Sequence, residues 1–126
     1  MFEKLELTRM AQALAAHSGS RLGVIARNVA NADTPGYRAM DLPDFSKVYA
    51  TAGSAMRATL PGHLRAAGSD AAVARVIPGS DAPNGNSVSL ESEMVKGVEV
   101  RQQHDMALAV YKSVSEIMRM SLGRGR

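Results

Sequence analysis

The sequence predicts a mainly α-helical fold, in which long N- and C-terminal helices pack as a coiled-coil hairpin and a turn- and loop-rich middle segment with room for short strands joins them. Two observations predict this fold. Apolar residues recur at helical spacing near both ends, and the region between them is rich in Ala, Gly, Ser, Pro and Thr. We expect a single module over the 126 residues, made of the N-terminal helix (1–33), the middle segment (34–88) and the C-terminal helix (89–122).

The N-terminal helix is predicted from a stripe of mainly apolar positions in a segment without proline. The intervals between them are three or four residues and follow an eleven-residue pattern, which corresponds to about 3.67 residues per turn. We therefore expect a nearly straight helix that packs along its length. The stripe consists of Leu7, Ala11, Leu14, Ser18, Leu22, Ile25 and Val29, of which all but Ser18 are candidate assembly residues.

A turn over residues 34–37 is predicted to end this helix. Pro35 disfavours a helical conformation in the residue before it, and Gly36 can supply the positive φ that the third position of a type II turn needs. Asn31 is expected to cap the end of the helix. The side-chain amides of Asn28 and Asn31 can bond the backbone of the loop, so we expect them to lock the junction between helix and loop.

The middle segment is predicted to be mostly loop, because isolated apolar residues are scattered among small and polar ones over residues 45–86. Short apolar clusters at Met56–Leu64 and Val73–Ile77 are candidates for strands or extended segments. Asn84, Gly85 and Asn86 form a tight-turn sequence that closes the segment.

The C-terminal helix is predicted to begin after Ser89, a suitable N-cap, with Glu91 and Glu93 in its first turn, where the helix dipole favours negative charge. Gly123 is expected to end it. Its stripe repeats the three- and four-residue intervals of the N-terminal stripe at Val95, Val98, Gln102, Met106, Ala109, Ser113, Ile117 and Met120, where Gln102 and Ser113 are polar members. The candidate assembly residues on this helix are Met94, Val95, Val98, Met106, Ala109, Ile117 and Met120.

Two such stripes can bury each other within one chain. Each helix is expected to be about 45 Å long, and any apolar width that the partner helix leaves uncovered is a surface for oligomerisation. The sequence favours assembly with neighbouring chains; a monomeric hairpin that uses both stripes internally is the alternative. We expect Arg21 and Arg27, which flank the first stripe, to form ion pairs between subunits, with a solvated face as the alternative.

Catalytic, metal and cofactor sites are not expected. The chain has no cysteine, and His17, His63 and His104 fall in three different zones without a metal-binding pattern. No glycine-rich phosphate loop or nucleophile elbow is present. We therefore expect no catalytic residue, no bound metal, no cofactor and no small-molecule substrate.

The charge distribution disfavours a nucleic-acid partner. The formal net charge is +3, but the first 44 residues carry five basic and five acidic side chains, and the basic excess elsewhere is spread thinly. The sequence also lacks an apolar run long enough for a transmembrane helix, and its first residues do not form a secretory signal peptide.

Two motifs carry a resemblance to a known family. The first motif covers residues 28–38 and includes the turn Thr34-Pro35-Gly36-Tyr37, and the second covers residues 85–94. The first resembles the N-terminal signature of flagellar rod and hook proteins, and the second resembles the start of that family's C-terminal helix. Ser89 stands where Asp is usual, Asp33 replaces a more usual Asn, and His104 lies near a position where Tyr is common. The resemblance covers about residues 5–45 and 84–122, and the short chain is most similar to the proximal rod subunits. The residues of the first signature are Asn28, Asn31, Thr34, Pro35, Gly36 and Tyr37.

The resemblance implies a structural subunit of the proximal rod of the bacterial flagellar basal body. Such a subunit polymerises through its terminal helices into the torque-transmitting shaft around the export channel. The implied partners are other rod subunits (copies of itself and FlgC-, FlgF- and FlgG-like proteins), a FliE-like ring–rod junction protein and the flagellar type III export gate. The implied location is the periplasmic rod, reached without a cleavable signal peptide. A small helical adaptor or secretion chaperone is the alternative function.

Overall fold

A computed structural model describes residues 2–52, 73–79 and 82–123 of the chain. The predicted mainly α-helical fold is confirmed, with long terminal helices that pack against each other and a short strand-containing middle. In the described residues no helix is both long and apolar enough to span a membrane. The elements are α1 (Phe2–Ala30), β1 (Met40–Asp41), α2 (Phe45–Ala52), β2 (Arg75–Val76) and α3 (Leu90–Gly123).

The two long helices form an antiparallel hairpin. Near the end of α1, the side chain of Asn28 donates a hydrogen bond of 3.0 Å to Glu93 in the first turn of α3. One helical turn earlier, Ile25 faces Gly97, where an added Cβ would lie 3.8 Å from the Cγ2 of Ile25. The end of one helix therefore meets the start of the other. With 29 and 34 residues, α1 and α3 extend for roughly 44 and 51 Å.

Many buried positions of the hairpin follow a seven-residue spacing, which differs from the expected eleven-residue pattern. The buried residues of α3 recur every seven positions, and three buried residues of α1 do the same. A seven-residue repeat is typical of a left-handed coiled coil. These residues are Glu93, Val100, Ala107 and Val114 on α3 and Ala11, Ser18 and Ile25 on α1.

The predicted stripe of α1 is only partly buried. Ala11 and Ile25 are in the core, and Leu14 and Leu22 are half-buried. Leu7 and Val29 are each 38% exposed. The prediction placed Val29 on the buried side of the helix, but the residue that is fully buried there is its polar neighbour Asn28. The eleven-residue pattern followed mainly apolar character and therefore missed Asn28, whose hydrogen bonds allow its burial.

The predicted stripe of α3 faces away from α1. All seven of its residues are exposed, because the hairpin core uses the opposite side of α3. These residues are therefore outside the hairpin core, and they form an uncovered, largely apolar surface. We call it the outer face of α3; it consists of Met94, Val95, Val98, Met106, Ala109, Ile117 and Met120.

The middle segment contains a small antiparallel sheet. Met40 pairs with Val76, and Asp41 pairs with Arg75. The amide of Ile77 also donates to the carbonyl of Ala39 at 3.0 Å, which extends the contact between the two segments. The predicted extended segment Val73–Ile77 is thus confirmed by β2, whereas the candidate cluster Met56–Leu64 lies outside the described residues.

Helix α2 is an element of the loop-rich middle segment that the sequence did not predict. The carbonyl of Asp44 accepts hydrogen bonds from the amides of Lys47 and Val48 and starts the helix. The ring of Phe45 lies 5.7 Å from that of His17 on α1. An eight-residue helix is marginal by itself, so this docking contact, which the sequence did not reveal, stabilises it.

Candidate assembly site

The signature turn has the predicted geometry. The amide of Tyr37 donates to the carbonyl of Thr34 at 3.3 Å, and Gly36 between them has a φ of 73°, as the third position of a type II turn requires. The side chain of Asn31 caps α1 by donating to the carbonyl of Arg27 at 2.8 Å. Both predictions for this turn are confirmed.

Asn86, from the second motif, joins that motif to the end of α1. Its amide nitrogen lies within hydrogen-bond distance of the carbonyl oxygens of Asn31 (2.9 Å), Ala32 (2.8 Å) and Thr34 (2.8 Å). Its side-chain oxygen accepts from the amide of Val88 at 2.8 Å. Carbonyl groups at a helix end lack partners within the helix, so Asn86 completes the end of α1 from about 50 residues away in the chain.

Two glycines allow the two motifs to approach closely. The amide of Gly36 donates to the carbonyl of Asn84 at 3.0 Å. An added Cβ at Gly85 would lie 3.5 Å from the Cα of Gly36. Gly85 also has a φ of 79°, a conformation that favours glycine.

Ser87 holds the second motif against the chain that leaves the turn. Its amide donates to the carbonyl of Tyr37 at 3.1 Å, and its hydroxyl accepts from the amide of Ala39 at 2.9 Å. Gly79 lies on the other side, where an added Cβ would be only 3.0 Å from the carbonyl oxygen of Ser87. Both signature motifs thus form one hydrogen-bonded unit, which we call the junction (residues 28–40 and 84–93).

Asn28 is the central side chain of the junction and is 0% exposed. Its amide nitrogen donates to the carbonyl of Met40 at 2.7 Å and to the carboxylate of Glu93 at 3.0 Å. Its oxygen accepts from the amide of Met40 at 3.1 Å and from the hydroxyl of Tyr37 at 3.3 Å. Two donors and two acceptors exhaust the capacity of an asparagine amide, so this buried polar group is fully satisfied.

Glu93 is the acidic partner of Asn28 and is 2% exposed. Its second carboxylate oxygen accepts from the ammonium group of Lys96 at 2.9 Å. The sequence placed Glu93 in the first turn of the C-terminal helix for its favourable charge but did not predict its burial. A buried carboxylate needs such partners, because an unpaired charge is costly inside a protein.

Arg21 forms an ion pair within the chain, so the expected pairing between subunits was wrong for this residue. Its Nε and one terminal nitrogen each lie 2.8 Å from an oxygen of Asp41. Burial acts to raise the pKa of Asp41, but the hydrogen bond and charge of Arg21 outweigh it and hold that pKa below its ordinary value. The hydrogen bond to Asp41 raises the pKa of Arg21. The pair attaches β1 to the side of α1.

His17 attaches the start of α2 to α1. Its Nε2 lies 2.9 Å from the carbonyl oxygen of Pro43, and its ring contacts Phe45. The described residues contain no group of three or more His, Asp or Glu side chains placed to hold a metal ion. The contacts with Pro43 and Phe45 give His17 a packing role.

The outer face of α3 is a large uncovered apolar surface. Its most exposed members are Val98 (70%), Met120 (67%) and Met94 (64%). An open depression at the end of α3, lined by residues that include Ile117, Met120 and Ser121, continues this face. Scattered apolar residues are ordinary on protein surfaces, but apolar residues that recur along one side of a long helix, here with the exposed polar residues Gln102 and Ser113 between them, are typical of an interaction site.

The structure brings together the residues of the first signature, which the sequence identified, with others that it did not assign to a site. Five of the six signature residues take part in hydrogen bonds of the junction, and Pro35 is exposed at the turn. The missed residues lie in or near the second motif. The similarity of that motif to a family pattern was the one feature of the sequence that could have identified them. They are Asn86, Ser87, Glu93 and Lys96.

Comparisons with known proteins agree with this geometry. The sequence model of the family described as "Flagella basal body rod protein" matches residues 10–38, which include most of α1 and the signature turn. The flagellar basal body rod protein FlgB of Agrobacterium fabrum (strain C58 / ATCC 33970) is 30% identical over 133 residues, which cover 97% of this chain and 96% of the relative. The similarity therefore extends across both helices and the middle segment. This chain belongs to the flagellar basal-body rod protein family.

Proposed function

We propose that this chain polymerises with other rod subunits through the outer face of α3, as a structural subunit of the proximal flagellar rod. Membership of the rod family makes it a structural protein and not an enzyme. The observation that supports this mode of assembly is the exposure of the outer face, where Val95 is 61% and Val98 70% exposed.

The outer face suits contact with another helix. It runs along α3, which is roughly 51 Å long, and it combines valine, methionine, isoleucine and alanine side chains. Methionine adapts its shape to a partner surface, and apolar area removed from water is the main source of association free energy. A second helix laid along this face would bury it in the way that α1 buries the other side.

α1 contributes a smaller assembly surface. Of its predicted assembly residues, Ala11 and Ile25 are used in the hairpin core. Leu7 remains 38% exposed, as does Met10, and Leu5 is 52% exposed. We propose that these exposed residues near the start of α1 extend the contact made by the outer face of α3.

The finer assignments of partner and place are also proposals, and they rest on the family resemblance. The proposed neighbours are further copies of this chain, FlgC-, FlgF- and FlgG-like rod subunits, a FliE-like ring–rod junction protein and the export gate. The proposed location is the periplasmic rod. We propose that residues 1–126 act there as one module, with the junction as the rigid end of the hairpin.

The proposal is tested by substituting two exposed valines in turn. Val98→Ser removes an apolar side chain from the outer face, whereas Val76→Ser alters a valine of β2 that is 58% exposed. Each variant is expressed in a strain of the source bacterium that lacks the native chain, and washed basal bodies are analysed by mass spectrometry. We expect Val98→Ser to be depleted from the rod and Val76→Ser to be retained.

Two results would contradict the proposal. Normal incorporation of a double variant, Val95→Ser with Val98→Ser, would show that the outer face does not carry assembly. Absence of the native chain from basal bodies that retain other rod proteins would remove the rod assignment itself, and a cytosolic adaptor would become the leading function.

A further inference from the structure

Helix α3 has two sides that could pack on α1, and the one that does so is the less apolar. The buried side presents Glu93, Val100, Ala107 and Val114. The outer face presents larger apolar side chains, among them Met106 and Ile117, which are 55% and 45% exposed, with Gln102 and Ser113 as polar residues between them. Because hydrophobic stabilisation grows with the apolar area buried, apolar burial alone favours the opposite orientation of α3. Another interaction must select the observed one.

The polar contact between Asn28 and Glu93 distinguishes the two sides. Both side chains are almost completely buried, and the hydrogen bond between them is 3.0 Å. On the outer face, the residues closest in sequence to Glu93 are Met94 and Val95, neither of which can accept a hydrogen bond from an amide with useful strength. Rotation of α3 would therefore leave a donor of Asn28 without its partner.

Asn28 cannot easily turn away from α3 to recover a partner. Its other donor and both acceptor positions are held by the backbone of Met40 and the hydroxyl of Tyr37. A slide of α3 by one heptad would place Val100 beside this amide, with the same loss. A buried donor left unpaired loses its hydration without compensation, which penalises both alternatives.

We propose that the hydrogen bond between Asn28 and Glu93 selects the side of α3 that packs on α1, and thereby keeps the outer face exposed. Buried polar contacts that fix the register of coiled coils act in the same way. The use of the outer face rests on the proposed function, whereas the selection of the packed side is a property of the single chain.

The test uses disulfide formation between introduced cysteines, because the natural sequence contains none. The pair Ile25→Cys with Gly97→Cys reports the observed packing, in which these positions face each other. The pair Ile25→Cys with Val98→Cys reports a rotated α3, since neighbouring helix positions point about 100° apart. We expect the first pair to form a disulfide readily in the otherwise native chain and the second pair to form little.

In a background carrying Asn28→Leu and Glu93→Leu, we expect the first pair to lose most of its cross-linking and the second pair to gain it. Glu93→Leu alone keeps the contacts of Asn28 with β1. It should also lower cross-linking of the first cysteine pair and raise that of the second. Glu93→Gln retains an acceptor oxygen for Asn28 and should preserve the native pattern. Glu91→Leu is the matched control, since it changes an exposed glutamate in the same helical turn.

An unchanged cross-linking pattern in both leucine backgrounds would overturn the inference. Loss of the helical circular dichroism signal in both would also overturn it, because the contact would then be needed to form the hairpin and not to select a side. These outcomes are independent of rod incorporation. If Val98→Ser enters the rod normally, the proposed assembly surface fails while the cross-linking result stands.

Discussion

The side-chain amide of Asn86 donates a hydrogen bond of 2.9 Å to the carbonyl of Asn31. The two residues are 55 positions apart in the chain. The same nitrogen lies 2.8 Å from the carbonyl oxygens of Ala32 and Thr34. One buried side chain thus completes the end of α1 and ties it to the segment that leads into α3. The stability of the hairpin should depend on this contact, although Asn86 lies outside both helices.

Asn86→Ala is expected to lower the free energy of unfolding by about 1–3 kcal/mol, because it leaves carbonyl groups at the end of α1 without a donor. Asn84→Ala is the matched control. Asn84 is exposed, and its side chain makes a bond of 3.1 Å to the amide of Asn86, so its loss should cost clearly less. Urea unfolding followed by circular dichroism measures both. Equal losses for the two variants would contradict the role given to Asn86.

Gly85→Ala is expected to destabilise the chain by about 1–2 kcal/mol, because a side chain is strained at its φ of 79°. The added methyl group would also contact Gly36. Gly19→Ala is the matched control within α1, where an added Cβ meets nothing within 4 Å. That variant should be more stable by about 0.5–1 kcal/mol, since alanine favours helix. Thermal and urea unfolding should therefore give shifts of opposite sign.

Ala107→Leu tests the small-residue core of the hairpin. Ala107 is 2% exposed, so a leucine there should force the helices apart and cost about 1–3 kcal/mol of unfolding free energy. Ala109→Leu makes the same change on the outer face and should alter the stability of the single chain by less than about 0.5 kcal/mol. If the two variants lose equal stability, the assignment of the buried side of α3 is wrong.

The ion pair between Arg21 and Asp41 should make stability depend on pH in the acid range. The pKa of Asp41 is lowered in the folded chain. The stability that its ionised carboxylate contributes is therefore fully present at pH values above the ordinary pKa of 3.8. That contribution is lost as pH falls through the lower folded pKa, because the unfolded chain binds the proton first. Unfolding free energies measured over this range should fall less steeply for Asp41→Asn than for the native chain.

Asp44→Asn is the control for that measurement. Asp44 is exposed and its carboxylate lies 3.6 Å from Lys47, also exposed, so it should contribute little. At neutral pH, Asp41→Asn itself should be less stable by about 1.5–3 kcal/mol, the range for hydrogen bonds to charged groups. Identical acid profiles for Asp41→Asn and the native chain would exclude Asp41 as the source of the dependence.

Local features of the sequence were sufficient to predict the two long helices and the turn between helix and loop. Pro35 and Gly36 end the helical pattern through restrictions on their own backbone and that of the neighbouring residue, and Asn31 caps α1 through a contact four residues away. Such effects act within a few residues, so they can be read without knowledge of the fold. The two signature motifs likewise indicated the family because their residue types and spacings are local.

The tertiary structure alone decided which surfaces meet. Periodicity could not select the packed side of α3, because both sides carry apolar residues and the buried one includes a glutamate. That choice depends on Asn28 and Glu93, which are 65 positions apart in the chain. Helix α2 forms where it docks on His17, and Arg21 pairs with Asp41 of β1 instead of a neighbouring subunit. Each of these outcomes follows from a contact between distant segments, whose free energy exceeds the weak local preferences that a sequence pattern records.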